Sequence, residues 1–257
     1  VKKKIRAAWR LFRVGLVFLF AGLDFFFRMK LTGKASSVHH RSVWLQRWCR
    51  NFLKSVNGRV TWDGRPPSRG LLASNHLGYV DILAYGAIQP LVFLSKADVR
   101  SWPVIGILTA CAGTLYIRRE SRSDVLPIAG QMKAVVDAGV PVVVFLEGTS
   151  SGGDTVLPFR SSLLAPAAEH GWQVTPAWVT YELADGSVAE EVAYWRDMTF
   201  FPHLIKLLGK EGFEARVHFG EPVTAKMDRK AMAKELHSRV CGLMDRHRDK
   251  APAPPKV

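Results

Sequence analysis

Cysteine is scarce in this chain. The three that occur, Cys49, Cys111 and Cys241, are widely spaced, odd in number and form no CxxC pair. Neither a disulfide framework nor a zinc site is therefore indicated, and a reducing compartment fits. Long hydrophobic runs are missing as well. Within the apolar stretch of residues 2–30, Arg10, Arg13 and Asp24 leave only Val14 to Leu23 uncharged. A helix needs about 20 consecutive apolar residues to cross a bilayer, so a full crossing is not expected. The basic start and short apolar centre imitate a secretory signal, but no small-x-small cleavage site follows and Asp24 leads into three phenylalanines. Acidic residues are almost absent from the first quarter. Residues 1–69 hold 16 Lys and Arg against 2 Asp and Glu, whereas residues 70–257 hold 20 of each. The net charge of +14 is thus the property of one end. A basic terminus on a neutral body reads as a docking device rather than a diffuse polyanion binder.

A chain of 257 residues, 48% of them hydrophobic, is long enough for one substantial core with an appendage. Residues 2–30 read as a helix lying in the membrane interface, with a core helix as the alternative. Leu45, Trp48, Cys49, Phe52, Leu53 and Val56 then follow helical spacing, with Arg41, Arg47, Arg50 and Lys54 elsewhere around the helix and Asn57-Gly58 as its stop. The two segments make a basic, aromatic-rich helical hairpin over residues 1–57. Trp9, Phe12, Phe18, Phe20 and Trp44 are its candidates for interfacial burial. Each nearby Lys or Arg contributes about 1 kcal/mol at an anionic leaflet. The apolar run suits lipid better than a phosphate groove, so no nucleic-acid partner is expected. The protein is expected to sit on the cytoplasmic face of a membrane without crossing it.

From Arg59 short strands and helices alternate. Val60–Trp62, Leu71–Ser74, Leu91–Ser95, Thr114–Ile117, Val140–Phe145, Val174–Val179 and Ala215–Phe219 read as strands. Tyr79–Ile88, a segment capped at Ser123 or Asp124 and running to Ala138, and a final stretch through Met232, Leu236, Val240, Leu243 and Met244 read as helices. The alternation implies an α/β domain over residues 58–250, a largely parallel mixed sheet flanked by helices. The Pro-rich residues 251–257 read as a loose tail. Ligands of such sheets bind beyond the strand C-termini. His76, Lys96, Arg119 and Glu147 all follow strands and are candidates for one rim.

His76 and Asp81 are the best candidates for chemistry. A carboxylate beside a histidine fixes the imidazole tautomer and leaves the other ring nitrogen free to take a proton. Residues five apart on a helix point about 140° apart, so the pair can touch only if His76 lies in the turn before the helix.

Asn75-His76 with Asp81 resembles the H-x4-D signature of the glycerolipid (lysophosphatidic acid) acyltransferase family. Phe145-Leu146-Glu147-Gly148-Thr149 resembles its F-P-E-G-T-R-S signature, Gly113 to Arg119 its G-x-x-F-I-x-R block, and Val174-Thr175-Pro176 its V-x-P block. Four such signals in the family's order cover roughly residues 70–180. The resemblance implies a concerted transfer from acyl-CoA or acyl carrier protein to a 1-acylglycerol-3-phosphate-type acceptor, with no cofactor and no metal. It makes His76 the general base, Asp81 its orienting partner, and Arg119, Glu147, Gly148 and Thr149 the acceptor-binding region. Ser150 stands where the family has arginine, which removes an expected phosphate contact, and Arg160 is a candidate to replace it in part. The continuation to Ser162 looks like the subgroup that acylates lyso-ornithine lipid or other lysolipids. A second reading takes Gly148-Thr149-Ser150-Ser151-Gly152 as the G-x-S-x-G of a serine hydrolase using Ser150, which requires a strand, a tight turn and a helix.

Overall fold

The computed structural model describes residues 1–118 and 125–248. Arg119 and the tail at 251–257 therefore lie outside the described residues. The chain begins with α1 (Lys2–Asp24), turns through a wider π-type segment at Phe25–Lys30 and returns as α2 (Val38–Val56). Ser37 caps α2 by accepting from His40 N, and Asn57 ends it in the left-handed conformation at φ 58. In order there follow β1 (Gly58–Asp63), β2 (Leu71–Ser74), α3 (Tyr79–Ile88), β3 (Val92–Lys96), α4 (Ile105–Ala112), β4 (Leu115–Ile117), α5 (Val125–Asp137) and β5 (Val142–Phe145). The second half comprises α6 (Ala165–His170), β6 (Gln173–Leu183), α7 (Val188–Glu191), α8 (Phe200–Gly209), β7 (Phe213–Phe219), β8 (Val223–Thr224) and α9 (Arg229–Arg248).

Among the described residues the strands form one sheet in the order β1-β7-β6-β2-β5-β3-β4, with β8 on β6. Neighbours are parallel except that β7 and β8 run antiparallel to β6. The expected α/β fold is present, as a mostly parallel sheet flanked by helices. Strand residues alternate between two cores. Leu72, Phe93, Val143 and Phe145 face α2 and α3, while Leu71, Val92, Val142 and Val144 face α5, α6 and α9. Burial on both faces explains why β2 and β5 read as unbroken apolar runs rather than alternating ones. The sequence reading left α4 and α8 unassigned. Both are short, and their ends are completed by distant side chains rather than by local signals.

Those side chains come from the hairpin. Arg10 on α1 is buried and donates to the carbonyls of Leu208, Lys210 and Glu211 at the end of α8. From α2, Arg41 donates to Ala110 and Cys111 at the end of α4, and Arg50 to Ala87 and Ile88 at the end of α3. The last carbonyls of a helix have no intrahelical donor and carry the negative end of its dipole, which suits guanidinium groups. Part of the basic excess expected to face an anionic surface is therefore spent inside the protein.

The hairpin's aromatic residues divide likewise. Trp44 is buried against Phe25 and Ala112, and Phe18 packs on Phe52, so these two of the five interfacial candidates point inward. Trp9, Phe12 and Phe20 point outward, in an exposed stripe with Ile5, Leu19 and Leu23. The inner face of α1, through Ala7 and Val14, joins the same core as α3 and the sheet. The core-helix alternative thus holds for one face of α1 and fails for the other. No helix among the described residues is long and apolar enough to cross a membrane.

Candidate active site

Three parallel strands bring the catalytic candidates to one edge. Ser74 at the end of β2 is in register with Phe145 at the end of β5 and with Ala177 in β6. Beyond Ser74 the chain leaves the sheet, and the Asn75 side chain continues the ladder. Its Nδ2 donates to Val179 O at 3.0 Å and its Oδ1 accepts from Val179 N at 2.8 Å. Asn75 thereby fixes where His76 begins.

His76 lies in the turn before α3, as contact with Asp81 requires. Its Nδ1 is 2.7 Å from Asp81 Oδ2. Asp81 is fully buried, and the same oxygen accepts from Leu77 N at 2.7 Å and Gly78 N at 3.1 Å. Its Oδ1 accepts from Tyr181 OH at 2.5 Å. Four donors offset the cost of burying the carboxylate. An ionised carboxylate only accepts, so Nδ1 carries the proton of neutral His76 and Nε2 keeps its lone pair. The ring is stacked on Phe145 at 4.0 Å, and the His76 side chain is 22% exposed. Gly78, at φ 150, permits the tight turn, since a Cβ there would meet Tyr194 at 2.8 Å.

Glu147 is brought to His76, but by its backbone. The buried Glu147 carboxyl accepts from His76 N at 3.1 Å through Oε2 and from Leu157 N at 2.9 Å through Oε1. Burial pushes this carboxyl up to about 8, against the pull of the Leu157 and His76 donors, and nearby Asp81 adds to the rise. Gly148 follows in the left-handed region at φ 76, and Thr149 completes the turn. Further bonds tie this loop to the H-x4-D turn. Ser151 N donates to His76 O at 2.8 Å, Tyr194 N to Leu77 O at 2.7 Å, and Ser150 Oγ to Tyr194 O at 2.5 Å. Lys96 ends β3 exposed to solvent. Tyr181 and Tyr194 are the supports that sequence reasoning missed, and Phe145, named there only as part of its motif, is the ring on which His76 stacks. Tyr181 is 100 residues from Asp81, and nothing in its local pattern signals the bond.

The raised Glu147 carboxyl has a testable consequence. Between the ordinary range near 4.5 and about 8, the folded state holds a proton that the unfolded chain has lost. Stability from this group therefore falls as pH rises through that window and is level above it. Thermal melts of the protein and Glu147→Gln at pH 5 to 9 should show the signed difference in Tm, protein minus variant, falling steadily up to about pH 8. A difference that grew with pH would contradict a carboxyl held neutral by burial.

Asp63, His218 and His247 bring three potential metal ligands within 4.8 Å of one another. The two imidazoles, however, stack face to face at 3.8 Å and 26°. Their in-plane lone pairs then run side by side instead of converging on one ion, and the cluster works as a contact between the end of α9 and the sheet edge.

Comparison with known proteins identifies the family and the fold. The profile of the Acyltransferase family matches residues 59–180. The chain is 37% identical over 165 residues to the lyso-ornithine lipid O-acyltransferase of Rhodobacter capsulatus, covering 62% of this chain and 59% of that protein. It is 34% identical over 188 residues to the protein of the same name from Brucella abortus, covering 68% and 70%. The fold matches the crystal structure of the 1-acyl-sn-glycerophosphate acyltransferase PlsC from Thermotoga maritima with a TM-score of 0.71, at 17% identity over 96% of both chains. With its H-x4-D pair assembled at the strand ends and these relatives around it, the chain belongs to the acyltransferase family.

Proposed function

We propose that this protein transfers an acyl group from acyl-CoA or an acyl carrier protein to a hydroxyl of a lysolipid. The observation that carries the proposal is the His76–Asp81 pair, with Nδ1 engaged at 2.7 Å and Nε2 left to accept a proton. The acceptor hydroxyl gives its proton to His76 Nε2 as its oxygen attacks the thioester carbonyl. The tetrahedral intermediate then expels the thiolate, which takes the proton back from the imidazolium. An ester and a free thiol result, with no acyl-enzyme. Asp81 orients the ring and stabilises the imidazolium, and Tyr181 holds Asp81. Glu147 acts from behind, fixing the His76 backbone, while Gly148 and Thr149 form the wall toward the acceptor. The assignment of Arg119 to the acceptor head group rests on the motif resemblance.

Both a 1-acylglycerol-3-phosphate and a lyso-ornithine lipid carry an anionic group in the head, a phosphate in the first and a carboxylate beside an ammonium in the second. Ser150 in the arginine position, together with the names of the relatives, favours lyso-ornithine lipid. The outward stripe on α1 suits attachment to one face of a bilayer, from which the acceptor reaches the site while the soluble donor arrives from the aqueous side. Purified protein given oleoyl-CoA and a panel of lysolipids, with products read by mass spectrometry, should yield one diacylated lipid well above the others. A panel with no acylated product would overturn the proposal.

The serine-hydrolase reading fares poorly. Residues 150–160 form no helix after the turn, and the Ser150 hydroxyl is directed to a backbone carbonyl. Ser150→Ala should keep turnover within about tenfold of the unaltered protein, since one neutral hydrogen bond is worth about 1 kcal/mol. Abolished turnover, with an acyl group trapped on Ser150 of the unaltered protein, would reinstate it.

A further inference from the structure

Among the described residues several guanidinium groups are committed to carbonyls or carboxylates: Arg10, Arg41 and Arg50 to helix ends, Arg216 to Glu182 and Glu214. Arg160 differs. Its backbone is pinned, with Arg160 N donating to Leu146 O at 2.8 Å, immediately before Glu147. Its side chain lies flat on the turn at Gly148. A Cβ built on Gly148 would sit 2.6 Å from Arg160 Nε and 3.1 Å from its Cζ. Glycine at 148 thus serves two needs, the left-handed turn and the close approach of a guanidinium. Arg160 is exposed, and among the described residues no carboxylate or carbonyl bonds its guanidinium. Asp154, the nearest acid in sequence, faces Arg248 at 3.9 Å, and Glu147 is buried and already holds His76 N and Leu157 N.

The Arg160 guanidinium is thus exposed over the turn at Gly148, the residue that follows the carboxyl fixing the His76 backbone. Ser150, where the family signature has arginine, turns its hydroxyl away to Tyr194 O. We infer that Arg160 grips the carboxylate or phosphate of the acceptor's head group and sets the preference for lysolipids that carry one. Resting on the acyl-transfer reading above, this inference names the residue that replaces the signature's missing arginine, ten positions along the chain from it, beside the role given to Arg119. A guanidinium binds carboxylate and phosphate alike through paired N–H donors. The ornithine head carries a carboxylate and lysophosphatidic acid a phosphate, so the two sources must be separated by experiment.

Steady-state kinetics of the full chain, Arg160→Ala and Arg160→Lys would use lyso-ornithine lipid, lysophosphatidic acid and neutral 1-acylglycerol as acceptors. Arg160→Ala should raise KM for the preferred anionic acceptor by about 10- to 100-fold, the range of a charged hydrogen-bonded contact. Its kcat should change little, lysine should recover part of the loss, and the neutral acceptor should be unaffected. An unchanged KM with the anionic acceptor, or an equal loss with the neutral one, would overturn the inference. Binding without turnover keeps it separate from the reaction. Calorimetry with sn-glycerol 3-phosphate and Nα-acetylornithine as soluble head groups should show one of them binding the unaltered protein and losing at least tenfold in Arg160→Ala. Binding that Arg160→Ala leaves intact, or no binding of either probe, refutes the assignment even where acyl transfer is confirmed. Retained, Arg160-dependent binding in a protein that acylates none of the acceptors would instead refute the acyl-transfer reading alone.

Discussion

His76→Ala should lower kcat for acyl transfer by about 10²–10⁴-fold, the usual contribution of a positioned general base, while the protein stays folded. The imidazole is 22% exposed on its open side and makes one side-chain hydrogen bond, to Asp81, so its removal leaves the surrounding core intact. Asp81→Asn should be nearly as damaging. An amide in place of the carboxylate presents N–H as well as C=O to a pocket of four donors, and the preference for Nδ1–H on His76 is lost. Tyr181→Phe removes one of those donors and should cost about tenfold, since the other three still hold the carboxylate. The order His76 ≥ Asp81 > Tyr181, read from initial rates at saturating donor and acceptor, is what the geometry requires. A Tyr181→Phe loss equal to that of His76→Ala would mean that the tyrosine takes part in the chemistry rather than holding Asp81.

The second large effect is expected at the membrane. Deleting the hairpin is a poor test, because Ala7, Val14 and Arg10 belong to the core and α8 would lose the donors at its end. Substituting the outward residues avoids this. Trp9, Phe12 and Leu19 are each more than half exposed, so Trp9→Ser, Phe12→Ser and Leu19→Ser together should leave the melting temperature nearly unchanged. Flotation with liposomes should fall by about 100-fold, since burial of each side chain at the interface contributes at least about 1 kcal/mol. Raising salt should weaken binding of the unaltered protein only in part, because the apolar contribution is not screened. A triple variant that floated as well as the unaltered protein would show that the stripe does not face lipid.

The sequence was informative where local pattern and position coincide. The strands of the parallel sheet stand out because they are buried on both faces, and the spacing of His76 and Asp81 demanded a turn followed by a helix, which is what α3 and its approach provide. It was uninformative where function depends on distant partners. Tyr181 and Tyr194 reach the H-x4-D turn from segments a hundred or more residues away, and their own neighbourhoods give no sign of it. Charge was misleading in one respect. Arg10, Arg41 and Arg50 count as basic surface in a sequence, yet they close the ends of α8, α4 and α3. Trp44 and Phe18 were misread for a related reason, since an aromatic residue on a two-sided amphipathic helix can face either the core or the lipid. Glu147 lies beside the expected site, but its carboxyl points into the protein, which its motif position alone does not reveal.

The most direct test of the central claim is the balance of products in a single reaction. With a labelled acyl thioester, purified protein and an acceptor lysolipid in vesicles, free thiol and diacylated lipid would be followed together. Direct transfer through His76 predicts one diacylated lipid for every thiol released, no labelled protein at any time, and almost no thiol release when the lysolipid is omitted. Thiol release that continued without acceptor, matched by free fatty acid or by acyl-protein, would contradict it.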